Sequence, residues 1–130
     1  MNIFLLRHGK YDPNTGHLSP QGIEELKLLR QLLDEEGVYF ELVLTSPKDR
    51  TKETAALLCG KAVLKEMEEL SPSSDPHRAL SIIPRDLDVL VVSHNPLLTG
   101  IATGLGESII FEPGTLAMFN EKGLHKVITP

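Results

Sequence analysis

The chain predicts an α/β fold: a three-layer α/β/α sandwich with a mostly parallel central sheet and an antiparallel C-terminal hairpin. Three observations predict it. Short apolar runs such as Ile3-Phe4-Leu5-Leu6 and Val89-Leu90-Val91-Val92 suit strands covered on both faces. Helix-period segments separate those runs, and Ser-Pro or Asn-Pro pairs recur where helices should begin. Finally, Thr115–Phe119 and Leu124–Ile128 flank the turn residues Asn120 to Gly123, the pattern of a hairpin.

In order, the first strand ends abruptly at Arg7-His8-Gly9, and Lys10 to His17, with Pro13, Asn14 and Gly16, reads as a loop. Ser19 and Pro20 open a helix whose stripe is Ile23, Leu26, Leu29 and Leu33, widened by Leu28 and Leu32, and Gly37 stops it. Leu42-Val43-Leu44 is a second strand. Ser46-Pro47 caps and opens a helix running to about Leu58, closed by Gly60. Ala62-Val63-Leu64 is a weaker strand, Ser71 to Asp75 a loop, and Asp75-Pro76 the start of another helix. The strand at Val89–Val92 ends in Ser93-His94. Asn95-Pro96 then caps a helix carrying Leu97, Leu98, Ile101 and Leu105.

With 130 residues and no repeat or low-complexity tract, residues 1–130 are expected to form a single domain. A net charge of −5 argues against a general nucleic-acid binder, which needs excess Lys and Arg to neutralise a phosphate backbone. One cysteine, Cys59, excludes an internal disulfide and a cysteine zinc cage; it is expected to be a core thiol, and it fits a cytoplasmic location. The first residues carry no basic leader, and no apolar stretch reaches membrane-spanning length, so neither a signal peptide nor a membrane partner is expected. His17, His77 and His125 lack ligand spacing with each other or with an acidic cluster, so no metal site is expected.

In open α/β sheets ligands bind beyond the carboxyl ends of the strands. There the first strand delivers Arg7 and His8, the second Ser46 and then Arg50, and the fourth His94. Two guanidiniums and two imidazoles on one rim suit a phosphate, because guanidinium forks match tetrahedral oxyanions. The helices capped at Ser46 and Asn95 should aim free N–H groups at the same space. His8 should be the nucleophile, kept neutral by neighbouring cations, with its second nitrogen donating to a carbonyl. Gly9 lets backbone approach the ligand. His94 is expected to donate to phosphoryl oxygens, Lys10 to be solvated, and Ser46 to act first as a helix cap.

The motifs resemble a known family. Leu6-Arg7-His8-Gly9, Leu18-Ser19-Pro20-Gln21-Gly22, the segment Thr45 to Ala55 containing Ser46, Arg50 and Thr54, and Val91 to Pro96 match, in order, motifs of the histidine phosphatase (phosphoglycerate mutase-like) superfamily. The short length, Arg-His-Gly-Lys, Glu69-Leu70-Ser71-Pro72 and His94-Asn95-Pro96-Leu97 are most similar to its SixA-type branch. The resemblance implies a hydrolase forming a phosphohistidine on His8, with Arg7, Arg50, His94 and Gly9 around the phosphoryl group, no metal or organic cofactor, and a phosphorylated protein or small compound as substrate. It offers Glu69, with Glu68 beside it, as the acid for the leaving group. An imidazole leaving group needs that acid less than an alkoxide does, which favours P–N over ester cleavage. The alternatives are a small-molecule phosphomonoesterase or mutase of the same superfamily, and a non-catalytic phosphate-binding module.

Overall fold

A computed structural model describes Met1–Pro130. Six strands form one sheet: β1 (Ile3–Arg7), β2 (Leu42–Thr45), β3 (Val63–Glu66), β4 (Val89–Ser93), β5 (Leu116–Asn120) and β6 (Gly123–Ile128). Their spatial order is β3-β2-β4-β1-β5-β6. β1, β2, β3 and β4 run parallel, while β5 is antiparallel to β1 and β6 to β5. The sheet is therefore mostly parallel and closes on an antiparallel hairpin, as the periodicity predicts.

Alternation along the strands builds two cores. Ile3 and Leu5 face a layer made by α3 (Pro76–Ser81) and α4 (Leu97–Gly104), through Ala79, Leu97, Leu98, Ile101 and Ala102. Phe4 and Leu6 face α1 (Pro20–Glu35) and α2 (Asp49–Leu58), through Leu26, Leu29, Leu33, Ala55 and Leu58. Successive side chains on a strand point to opposite faces, so a continuous apolar run is what a strand between two helical layers requires.

Local chemistry sets the ends of α1. The Ser19 hydroxyl accepts from the Gly22 N–H, and Pro20 occupies the first turn. At the other end Gly37 takes φ +69°, its N–H donates to Asp34 O, and the Val38 N–H donates to Leu33 O. That pair of bonds is a Schellman ending, which satisfies two terminal carbonyls. Arg30 joins this end to its neighbours by donating to Leu58 O at 2.9 Å and Val38 O at 2.6 Å.

Several local expectations need correction. Leu28 and Leu32 do not widen the buried stripe; both are exposed and line a groove with Ile128 and Pro130, on the flank of α1 beside the edge strand β6. Ser46 does not cap α2, which starts three residues later at Asp49 with Lys48 in the cap position. Asn95 does not cap α4 either: its amide donates to Phe111 O and its carbonyl oxygen accepts from Thr99, leaving Pro96 in the cap position. Asp75-Pro76 does open α3 as expected, with Asp75 in the cap position, although its side chain makes no capping bond. β3 runs on to Glu66 as an exposed edge strand. Cys59 is only partly buried, at the end of α2, where it packs at the margin of the core.

Candidate active site

β1 pairs with β4 in register, so Arg7 lies opposite Ser93, and His8 and His94 leave adjacent strands side by side. The His8 N–H donates to Ser93 O at 3.1 Å, which ties the two strand ends together. The ring centroids of His8 and His94 are 5.1 Å apart, and both residues are buried.

The nitrogens of His8 are distinguishable. Nδ1 lies 2.9 Å from the Gly9 carbonyl, an acceptor only, so Nδ1 carries the proton and Nε2 keeps its lone pair. Burial holds the His8 pKa down at about 4, with Arg50 and Arg7 adding to the effect. The ring is therefore neutral and nucleophilic at neutral pH. His94 is held at about 3, first by burial and then by the charges of His8, Arg50, Lys48 and Arg7.

The guanidiniums are held from one side only. Arg7 donates through Nη1 to Phe111 O at 2.8 Å. Arg50 stands over the Tyr11 ring, 4.7 Å from its centroid, and Tyr11 in turn packs edge-on against His8 at 5.2 Å. Arg7 Nε, Arg50 Nε and His94 Nδ1 are buried yet have no protein partner. A buried donor without a partner is costly, and two of them, Arg7 Nε and Arg50 Nε, with an unpartnered imidazole nitrogen of His94, make a site that a tetrahedral oxyanion would satisfy.

The approach of the backbone is also fixed. The Gly9 N–H donates to the Thr54 hydroxyl at 3.1 Å, and that hydroxyl donates to Arg50 O at 2.8 Å, so α2 positions the loop after β1. A Cβ on Gly22 would lie 2.2 Å from Lys10 O, so only glycine lets α1 pack against the strand-to-loop turn. Lys10 itself is not simply solvated but pairs with Glu25 at 2.8 Å.

His8, Arg7, Arg50, His94 and Gly9 thus lie together. No hydrogen bond ties Glu69 to them. Glu69 sits on a single turn of 3-10 helix, Glu68–Leu70, anchored by the Ser93 hydroxyl donating to Leu70 O at 2.7 Å. It lines a shallow cavity with Glu68, Ser74, Asp75 and Arg78. No group of three or more His, Cys, Asp or Glu side chains is gathered as a metal ion would need, and no helix is long and apolar enough to cross a membrane.

Sequence reasoning missed Tyr11 and Thr51 as neighbours of the site, the bond between Ser46 and His94, and the Phe111 carbonyl. Spacing held a signal for Thr54, one helical turn after Arg50 and on its face. A main-chain carbonyl such as that of Phe111 leaves no signal at all.

Residues 3–71 match the family model of the histidine phosphatase superfamily (branch 1). The chain belongs to the histidine phosphatase superfamily. The whole fold agrees. A solved structure of the protein histidine phosphatase SixA complexed with tungstate is 25% identical, with a TM-score of 0.81 over 99% of this chain and 97% of that one. The phosphohistidine phosphatase SixA assigned in Agrobacterium tumefaciens is 19% identical, with a TM-score of 0.81 over 99% and 97% of the two chains. A phosphoserine phosphatase from Entamoeba histolytica, bound to 3-phosphoglyceric acid, is 15% identical, with a TM-score of 0.79 over 99% and 97%. At such low identity the last two bear on the fold alone. No curated protein sequence matches the chain. This histidine phosphatase is accordingly a hydrolase that acts on a phosphorylated substrate.

Proposed function

We propose that this histidine phosphatase transfers the phosphoryl group of a phosphohistidine protein to Nε2 of His8 and releases it to water. The observation that carries the reading is the set of three buried, unpartnered nitrogens, Arg7 Nε, Arg50 Nε and His94 Nδ1, beside a histidine whose proton is committed to Gly9.

The steps follow from that geometry. The Nε2 lone pair of His8 attacks phosphorus, the P–N bond of the substrate breaks, and the departing imidazole takes a proton from solvent. The two guanidiniums and His94 stabilise charge on the equatorial oxygens, the main demand of phosphoryl transfer. Water then attacks the phosphoryl group on His8, the P–Nε2 bond breaks, and inorganic phosphate leaves with His8 neutral again. The Nδ1–Gly9 bond keeps the ring oriented throughout both steps.

Preference for a P–N bond rests on Glu69. An alkoxide leaving group needs a positioned acid, whereas imidazole is a far weaker base and departs with little help. With the Glu69 carboxylate outside the hydrogen-bonded cluster, the site suits the easier leaving group. The SixA structure at 25% identity, a protein histidine phosphatase, adds support.

The test is a panel of phosphoramidate, a phosphohistidine peptide and alkyl phosphates, run on the unaltered protein and His8→Ala. The expected result is P–N cleavage at least 10²-fold above ester cleavage, as the order-of-magnitude worth of a positioned acid implies, and its loss in His8→Ala. Ester cleavage as fast as P–N cleavage would overturn the substrate assignment and favour the phosphomonoesterase. Normal release by His8→Ala would overturn the nucleophile.

A further inference from the structure

The two nitrogens of His94 keep different company. Nε2 lies 2.7 Å from the Ser46 hydroxyl, while Nδ1 is buried without a partner. Ser46 lies in turn 2.6 Å from the Thr51 hydroxyl, and both hydroxyls are wholly buried. A neutral imidazole has one proton, so whatever Ser46 does at Nε2 decides what Nδ1 presents.

Two arrangements satisfy the hydroxyls. In one, His94 donates from Nε2 to Ser46, Ser46 donates to Thr51, and Thr51 donates to Lys48 O at 2.9 Å or Ser46 O at 3.0 Å. Nδ1 then offers a lone pair, which would repel a phosphoryl oxygen. In the other, Thr51 donates to Ser46 and Ser46 donates to Nε2, so the proton sits on Nδ1. Only the second gives the bound anion a third donor beside Arg7 Nε and Arg50 Nε.

We infer that Ser46, backed by Thr51, is a positioning residue that holds His94 as its Nδ1–H tautomer when an oxyanion is bound. This rests on the reading of His94 as a phosphoryl-oxygen donor. It also accounts for Ser46 being withdrawn from the helix start: its hydroxyl is committed to the imidazole and α2 begins without it. A tautomer held in this way donates while neutral. His94, whose pKa lies at about 3, need not be protonated to serve.

The test uses ¹⁵N-labelled protein with inorganic phosphate as the probe, reading the imidazole nitrogen shifts of His94 at neutral pH. The unaltered protein should show a protonated Nδ1 and an unprotonated Nε2. Ser46→Ala should lose that preference and drop in kcat by about 10- to 100-fold, the usual cost of removing a group that orients a functional histidine. Thr51→Val should move both readings the same way by less, and Thr51→Ser, which keeps the hydroxyl, should restore them. If Ser46→Ala fails to fold, the Thr51 pair decides. A protonated Nε2 in the phosphate-bound protein, or unchanged shifts and kcat in Ser46→Ala or Thr51→Val, would overturn the inference. His8→Ala separates the two readings. If it is inactive while Ser46→Ala is normal, only the tautomer role falls; if it stays active, the reading beneath falls.

Discussion

Replacing Gly22 with alanine should damage both stability and turnover, through one contact. The added Cβ would sit 2.2 Å from Lys10 O and 3.0 Å from Lys10 C, closer than non-bonded atoms tolerate. Neither side yields easily. α1 is locked by Leu26, Leu29 and Leu33 in the core, and Lys10 O already accepts from the Ser19 N–H at 3.0 Å and hydroxyl at 3.2 Å. Relief by a backbone shift costs about 1–3 kcal/mol. For a domain of this size that is roughly 4–12 °C in Tm. Lys10 follows His8 by two residues, so the same shift should misplace the nucleophile, and about 1 Å of misplacement can cost on the order of 10² in rate. Thermal unfolding and kcat/KM on phosphoramidate read the two effects. Gly37→Ala is the control: φ is +69° but nothing lies within 4 Å, so it should lose about 1 kcal/mol to strain and keep its kcat. A Gly22→Ala protein with unaltered Tm and kcat/KM would refute the reasoning.

Other consequences are equally direct. Arg50→Ala should lower kcat by on the order of 10²–10³ while Tm stays level or rises, because it removes a buried donor that no protein group satisfies; a fall in Tm matching the loss of rate would contradict this. The His8 and His94 ring protons should not titrate by NMR between pH 5 and 8, whereas exposed His17, raised by its bond to Glu53, should titrate above its ordinary value. Since burial depresses both buried imidazoles, the unfolded chain binds more protons than the native one between about pH 6.5 and 4. Stability should therefore fall as pH drops through that window, and denaturant midpoints at pH 7 and pH 5 check the sign. Glu69→Gln should leave phosphoramidate turnover within about threefold; a loss near 10² would make Glu69 the acid.

Much of this was legible in the sequence for a physical reason. Period-two and period-3.6 patterns report which face of an element is buried, and the parallel core from Ile3, Leu42 and Val89 follows from them. Side chains at strand ends share a rim by topology alone, which is why His8 and His94 could be paired from residues far apart in the chain. Ser46 and Asn95 misled because Ser-Pro and Asn-Pro pairs look alike whether the polar side chain caps a helix or turns inward. Here each has a competing partner, His94 for Ser46 and the Phe111 carbonyl for Asn95. Leu28 and Leu32 misled because helical spacing does not distinguish a stripe facing the sheet from its exposed flank. Tyr11 lay within a loop rich in Pro, Asn and Gly, and no periodicity in that loop could relate it to Arg50.

The phosphoryl acceptor can be caught directly. Protein mixed with a ³²P-labelled phosphoramidate, quenched in base within one turnover and digested, should yield a single acid-labile phosphopeptide containing residues 7–10, with the label on the imidazole, and none from His8→Ala. A phosphopeptide containing His94 instead, or rapid phosphate release with no labelled peptide at any time, would contradict the account.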